Sequence, residues 1–352
     1  MLKKLLVFLS ENRQEYHNKI DFSQVKSILL RPLGKAIGDA VVHTAHLSQI
    51  RQILPHVKIG VIVDGANQTI FEHCGLVDEF IPRNINSYLK NYKRWDLLLD
   101  FENNFNSSAL FMDRILMPRW IMNFYKYNKK YYNLDNIKNY DYHFDQEPTA
   151  RLSHYLVNSI FSEKFDLPEP YSIIYSNQLY KKDKQNNKIK ILLCPQGSKR
   201  EIPVSELALL LNSAIKSHLL ECCEFIVSYT DNSLQYTEKL ILECPCLAIQ
   251  PSQKTTLPEY FSLIENSDFV IAVDGGSLHL ACAFKKPLLS FFANNKANLN
   301  RWMPLVYPNV PHFMILTKED HGSNCTKNFD LTEGITWLTN ELTEYKHGIP
   351  IP

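Results

Sequence analysis

The sequence of 352 residues contains no apolar run near the roughly 18 residues that a bilayer-spanning helix needs, so any membrane attachment would be peripheral. Its start, MLKKLLVFLSENRQ, has two lysines and an apolar run only from Leu5 to Leu9, with no small-residue cleavage pattern behind it. That predicts a cytoplasmic protein opening on a short helix. None of the eight cysteines belongs to a C-x₂-C pair. Cys222-Cys223 and Cys244-Pro245-Cys246 lack the paired spacing of zinc sites, which predicts free thiols in a reducing compartment. An excess of charge of one sign is also missing: 38 Lys and Arg stand against 37 Asp and Glu, a formal +1. Nucleic acid is therefore not expected as a partner, and any basic site must be local. No G-x-G-x-x-G follows the first strand candidate, where the chain reads Leu33-Gly34-Lys35-Ala36-Ile37-Gly38-Asp39, which argues against a nicotinamide dehydrogenase. Short-period repeats and low-complexity tracts are absent too.

What remains is the composition of a soluble globular protein, 45% hydrophobic and 21% charged. The length exceeds the roughly 250–300 residues at which one core stops growing, so two domains are expected. Val25 to Leu30 and Lys188 to Leu193 each read as a short buried strand running into a loop with Pro and Gly, as if two domains were built alike. A helix from about Asp39 to Leu54, a strand from Lys58 to Val63 and a helix around Ala66 to Cys74 follow the first. This alternation predicts a parallel sheet with right-handed crossovers. Asp96 to Asp100 fits a central strand. Met112 to Asn133 mixes Arg114, Arg119, Lys126, Lys129 and Lys130 with six aromatic residues, the most uneven part of the chain. The wholly polar Lys181 to Lys188 reads as a linker. The predicted boundaries are 1–180, 181–330, and a closing helix and tail over 331–352.

In the second half the informative segment runs from Phe269 to Phe292. A five-residue apolar strand meets Asp274-Gly275-Gly276-Ser277-Leu278-His279, then an apolar helix and a second apolar strand. Strand, glycine turn and helix N-terminus leave the amides of Gly275, Gly276 and Ser277 unpaired, and the helix dipole makes them a site for an anion such as a diphosphate. Glycine lets the backbone approach such a ligand closely. A plain turn with Asp274 or Ser277 as N-cap is the structural alternative.

Asp274, Gly275, Gly276, His279, Leu280, Ala281, Ala283 and Pro287 follow one another as in D-[TG]-G-x-x-H-L-A-x-A with a later Pro, a pattern that resembles the signature of glycosyltransferase family nine, the ADP-heptose:lipopolysaccharide heptosyltransferases. The resemblance implies that Gly275, Gly276 and Ser277 bind the donor diphosphate and that Asp274 contacts the donor sugar. Leu33 to Thr44 is similar to the family's strand-loop-helix pattern with its Gly-Asp pair, here Gly38-Asp39, and Ala45 replaces the family Pro. Asp39 is then the implied general base, since an acceptor hydroxyl attacking an anomeric carbon must lose a proton; the alternative is that it caps the helix it begins. Pro195 to Pro203 resembles a third family loop, whose cation falls at Arg200, with Lys199 beside it, and whose Trp is Ile202 here. Gly75 to Ile81 and Trp95 to Phe101 look like further family segments, whereas Phe292-Ala293-Asn294-Asn295 departs from the usual F-G-P-T.

The resemblance implies an α/β fold of two Rossmann-like domains facing each other across a cleft, the glycosyltransferase B-type fold, with acceptor bound by the first domain and nucleotide sugar by the second. The implied partners are ADP-heptose or a related nucleotide sugar and an inner-core lipopolysaccharide glycolipid, at the cytoplasmic face of the inner membrane. Met112 to Tyr132 could meet acidic head groups there; an ordinary helix with a solvated basic face is the alternative. No Asp-x-Asp motif offers a divalent-metal site, so transfer without metal or other cofactor is expected. His279 falls inside the helix and is given a supporting place. A same-fold transferase with another nucleotide sugar, and a catalytically silent carbohydrate-binding protein, stay open as alternatives.

Overall fold

The structure, a computed structural model, describes residues 5, 7–9, 20–144, 155–176, 188–319 and 322–347. The chain divides into two compact units, Met1–Pro170 and Tyr171–Pro352. The division falls after Pro170 rather than near residue 180, and the expected linker lies outside the described residues apart from Lys188.

Among the described residues the first unit holds six strands, β1 (Ser27–Arg31), β2 (Lys58–Val63), β3 (Glu79–Pro82), β4 (Leu97–Asp100), β5 (Trp120–Phe124) and β6 (Tyr142–Phe144). They form one parallel sheet in the order β3-β2-β1-β4-β5-β6. The second unit repeats the plan with β7 (Ile189–Cys194), β8 (Cys223–Val227), β9 (Ile249–Pro251), β10 (Phe269–Val273), β11 (Leu288–Phe292) and β12 (His312–Leu316). Its parallel order, β12-β11-β10-β7-β8-β9, is the same sequence of first to sixth strand read from the other edge. In each sheet the winding reverses between the first and fourth strands, and ligands of such sheets bind beyond the carboxyl ends at that point.

Burial explains the central strands. SILLR, LLLD, FVIAV and LLSFF are buried along their whole lengths, as parallel strands covered on both faces must be. Each fully buried Leu or Phe among them stabilises the fold by roughly 1.5–3 kcal/mol. The closing helix Thr332–Lys346 turns Leu338 and Leu342 into the second unit's core, and Thr339 Oγ1 donates to the Ala214 carbonyl at 3.0 Å.

The amino edges of the sheets are held by a device used four times. An aspartate stands immediately before a strand, and its carboxylate accepts an amide from the start of the neighbouring strand. Asp96 Oδ2 accepts from the Lys26 and Ser27 amides at 2.9 and 3.0 Å, Asp78 from Ile59 at 2.7 Å, Asp141 from Ile121 at 2.7 Å and Asp268 from Lys190 at 2.9 Å. Asp78, Asp141 and Asp268 also donate their own amides to the carbonyls of those same partners at 2.8–2.9 Å, closing a two-way clasp.

The stretch Met112 to Asn133 is not one basic surface. Its first residues finish the helix Ser107–Leu116, and Trp120–Phe124 is a wholly buried strand. Lys126 is 3% exposed and pairs with Asp100 at 2.6 Å. Arg31, fully buried at the end of β1, pairs with Asp100 at 3.1 Å and with Asp113. Two cations thus share a core with two carboxylates. Burial and the neighbouring Asp100 push the Asp113 carboxyl up against the opposing pull of Arg31. Removing one member of such a set leaves an uncompensated charge in the core.

Candidate functional site

The carboxyl end of β10 delivers Asp274, which is 5% exposed. Gly275 is the N-cap of the helix Gly276–Ala283, and no side chain caps the first turn. Its amides and the helix dipole therefore face the same way as an anion site requires. Neither Asp274 nor Ser277 is the cap.

Beside it, the loop after β7 is a tight hairpin. The Gly197 amide donates to the Arg200 carbonyl at 2.7 Å and the Ile202 amide to that of Pro195 at 2.8 Å, which leaves Ser198 and Lys199 at the tip. Ile202 is buried in the core. The hairpin and the β10 loop meet at their glycines. A Cβ on Gly275 would stand 3.7 Å from the Gly197 Cα, and one on Gly197 would stand 3.3 Å from the Asp274 carbonyl oxygen. The tight place is Gly197, where a side chain would crowd the Asp274 carbonyl, whereas a Cβ on Gly275 would make only an ordinary contact.

Arg200 and Asp274, predicted for separate tasks, are joined. Arg200 Nη1 lies 2.8 Å from Asp274 Oδ2, Arg200 Nη2 donates to Asn298 Oδ1 at 3.1 Å, and Asn298 Nδ2 donates to Asp274 Oδ2 at 2.8 Å. The three side chains close a ring that fixes guanidinium and carboxylate together. Lys199 is exposed and makes no ion pair among the described residues. It lines a groove of about 400 Å³ with the rest of the hairpin and Thr230, Asp231 and Asn232. Thr230 Oγ1 donates to Gln196 Oε1 at 2.5 Å, which ties the β8 loop to the hairpin.

Ser277 is supported from below. The Tyr260 hydroxyl donates to Ser277 Oγ at 2.7 Å and lies 3.3 Å from Cys194 Sγ. Burial pushes the Tyr260 hydroxyl well above its usual range and the Cys194 thiol up, so both stay neutral. His279 is buried, its ring 6.2 Å from that of Trp302.

In the first unit Asp39 and Gly38 lie in the first turn of the helix Ile37–Ile53 at the carboxyl end of β1. The N-cap is Ala36, so Asp39 is not the capping residue, although a carboxylate there also suits the helix dipole. Gly34 turns the chain at φ +66°, and a Cβ on it would stand 2.4 Å from Asp39 Oδ2. The backbone thus lies directly against the half-buried carboxylate. His43, one turn further along the helix, has Nε2 2.8 Å from the Leu33 amide. Lys35 pairs with Asp64 at 2.5 Å, an exposed contact of little energetic weight.

Sequence reasoning placed the hairpin, the glycine turn and Asp39, and missed Asn298, Thr230, Tyr260 and His43. Asn298 belongs to the asparagine-rich segment after β11 that departs from the family phrase, and that run of polar residues behind a buried strand was its one signal. Among the described residues no group of His, Cys, Asp and Glu gathers as a metal site would need, and no helix is long and apolar enough to cross a membrane.

A family model described as glycosyltransferase family 9 (heptosyltransferase) matches residues 85–313. The chain is 24% identical over 332 residues to the Escherichia coli (strain K12) protein provisionally described as lipopolysaccharide heptosyltransferase 4, a match over 88% of this chain and 84% of that protein. Among solved structures, E. coli ADP-heptose lps heptosyltransferase II matches 91% of this chain and 99% of its own with a TM-score of 0.67 at 14% identity. E. coli heptosyltransferase WaaC, solved with ADP, matches 92% of this chain and 100% of its own with a TM-score of 0.64 at 12% identity. At these identities the structural matches show the fold.

Proposed function

Because the chain belongs to glycosyltransferase family 9, the heptosyltransferases, we propose that it is an inverting transferase that moves heptose from ADP-heptose to the lipopolysaccharide inner core. The observation that carries the reading is the contact between the β7 hairpin and the β10 loop. It brings the hairpin that carries the exposed Lys199 against the turn where Asp274, held by Arg200, leads into the uncapped helix amides and Ser277. Anion donors next to a carboxylate suit a sugar joined to a diphosphate. The choice of ADP-heptose follows the relatives, one of which is solved with ADP.

In the proposed reaction an acceptor hydroxyl attacks the anomeric carbon, the bond from that carbon to the diphosphate breaks, and ADP departs with the electron pair. Asp39 takes the acceptor proton, a step contributing roughly 10²- to 10⁴-fold. Lys199, Ser277 and the amides of Gly275 and Gly276 neutralise the departing diphosphate, and this electrostatic stabilisation replaces acid catalysis. Arg200 is held on Asp274 with Asn298, so its share is to fix the carboxylate that meets the sugar hydroxyls. The reading includes no metal ion or other cofactor. It also places the protein peripherally at the cytoplasmic face of the inner membrane, where Arg119, Lys129 and Lys130, but not the buried Lys126, could meet acidic head groups.

Mass spectrometry of purified truncated core glycolipids incubated with ADP-heptose tests this, with Asp39→Ala beside the wild type and excess chelator in a parallel reaction. A single added heptose with the wild type only, unchanged by chelator, is the expected result. Transfer from another nucleotide sugar instead would reject heptose, and loss in chelator restored by added metal would reject the metal-free reaction.

A further inference from the structure

Histidine and loop contacts in the first unit bear on how Asp39 is aimed. His43 and His46 face each other on the helix Ile37–Ile53 and are both fully buried, with Nδ1 atoms 3.1 Å apart. His46 stacks on Phe101 at 4.5 Å, and His43 meets the same ring edge-on at 4.8 Å. Burial, with the neighbouring His46, holds His43 well below the usual imidazole range. The hydrogen bonds set the tautomer. Leu33 has an amide proton to give, so His43 Nε2 must accept it and the ring proton must sit on Nδ1. That proton points at His46 Nδ1, which in turn must accept. Protonating either ring would set two donors against each other.

Leu33 is the residue before Gly34, and Gly34 is the backbone that lies against Asp39 Oδ2. His43 stands four residues after Asp39, on the same side of the helix. One imidazole therefore ties the loop to the helix that carries the carboxylate. We infer that His43 is a positioning residue: by accepting the Leu33 amide it holds the Gly34 backbone against Asp39 and so fixes the direction of the base. The inference rests on the reading of Asp39 as the base. It excludes His43 itself from proton transfer, since the ring is sealed from solvent and its acceptor nitrogen is occupied.

The test compares His43→Leu with His43→Gln, whose amide oxygen can accept the Leu33 proton. Leucine is expected to lower kcat on the order of tenfold to hundredfold, as a base displaced by a fraction of an ångström would, with the KM for ADP-heptose unchanged. Glutamine is expected to restore most of it. Wild-type kcat in His43→Leu, or equal losses in both variants, would overturn the inference. Nitrogen-15 NMR of the wild-type histidines stands independent of either variant's folding: His43 should show a protonated Nδ1 and a bare Nε2 that accepts the Leu33 amide, and a protonated Nε2 would overturn the inference as well. Asp39→Asn is run alongside. Full activity there removes the reading of the base, whereas loss there with wild-type kcat in His43→Leu removes only the positioning role.

Discussion

Gly34→Ala separates the role of Asp39 from its mere presence. An alanine Cβ would stand 2.4 Å from Asp39 Oδ2, where unstrained contact begins at about 3.5 Å, so loop or carboxylate must yield by about 1 Å. The residue also sits at φ +66°, which costs an L side chain roughly 1–2 kcal/mol. For a unit of this size each kcal/mol lowers Tm by roughly 2–4 °C, so the fold survives. A base misplaced by about 1 Å loses on the order of 10²-fold in rate. The expectation is therefore a kcat about two orders of magnitude down with a Tm loss of a few degrees. Calorimetric titration with ADP should be unchanged, because the nucleotide is assigned to the other unit. Wild-type kcat in Gly34→Ala would refute the argument outright, and a parallel loss of ADP affinity would show that the substitution acts through global damage.

Lys199→Ala should weaken ADP by about 10- to 100-fold, the loss of one charged hydrogen bond, and leave adenosine binding as it was; equal weakening of both would move the cation elsewhere. Burial raises the Asp141 carboxyl to about 7, against about 3.9 unfolded. A raised pKa favours folding below the unfolded value, and that advantage fades as pH climbs from about 4 to about 7. Asp141→Asn, whose amide oxygen can still accept the Ile121 proton, should flatten that window in denaturant melts, and parallel curves would refute it. Lys126→Met leaves Asp100 beside Arg31 alone and should cost about 3–5 kcal/mol; a loss under about 1 kcal/mol would show the ammonium to be dispensable.

The central strands were legible because parallel strands buried on both faces are written as unbroken apolar runs. Lys58–Val63, Phe269–Val273 and Leu288–Phe292 fall where the runs predict them. Trp120–Phe124 was not, since WIMNF is flanked by arginine and lysine whose destinations are tertiary: Lys126 turns inward to a partner 26 residues away. The same reason hid Asn298 and Tyr260. Both act on groups delivered by other loops, Asn298 24 residues from Asp274 and Tyr260 17 from Ser277, and no local spacing encodes such meetings. Asp39 and the glycine turn could be read because strand, turn and helix start are contiguous in the chain. That Arg200 rather than Lys199 is the cation paired with Asp274 could not, because the ring with Asp274 and Asn298 exists only in three dimensions.

The aspartate clasps at the amino edges carry a consequence for how the sheets assemble. Side chains alternate between sheet faces, so pairing shifted by one residue would present the wrong face of a strand to its neighbours. A strand as uniformly apolar as FVIAV has little in its own pattern to forbid that error. In the native pairing Ile28 sits opposite Leu97, and Asp96 meets the Ser27 amide one step before it; the same offset recurs where Asp78 precedes Glu79 and Asp268 precedes Phe269. A slipped strand would strand the carboxylate without its amide. Each clasp thus acts as an end stop that tells otherwise interchangeable strands where to begin, leaving the opposite edge free to be shaped by its loops.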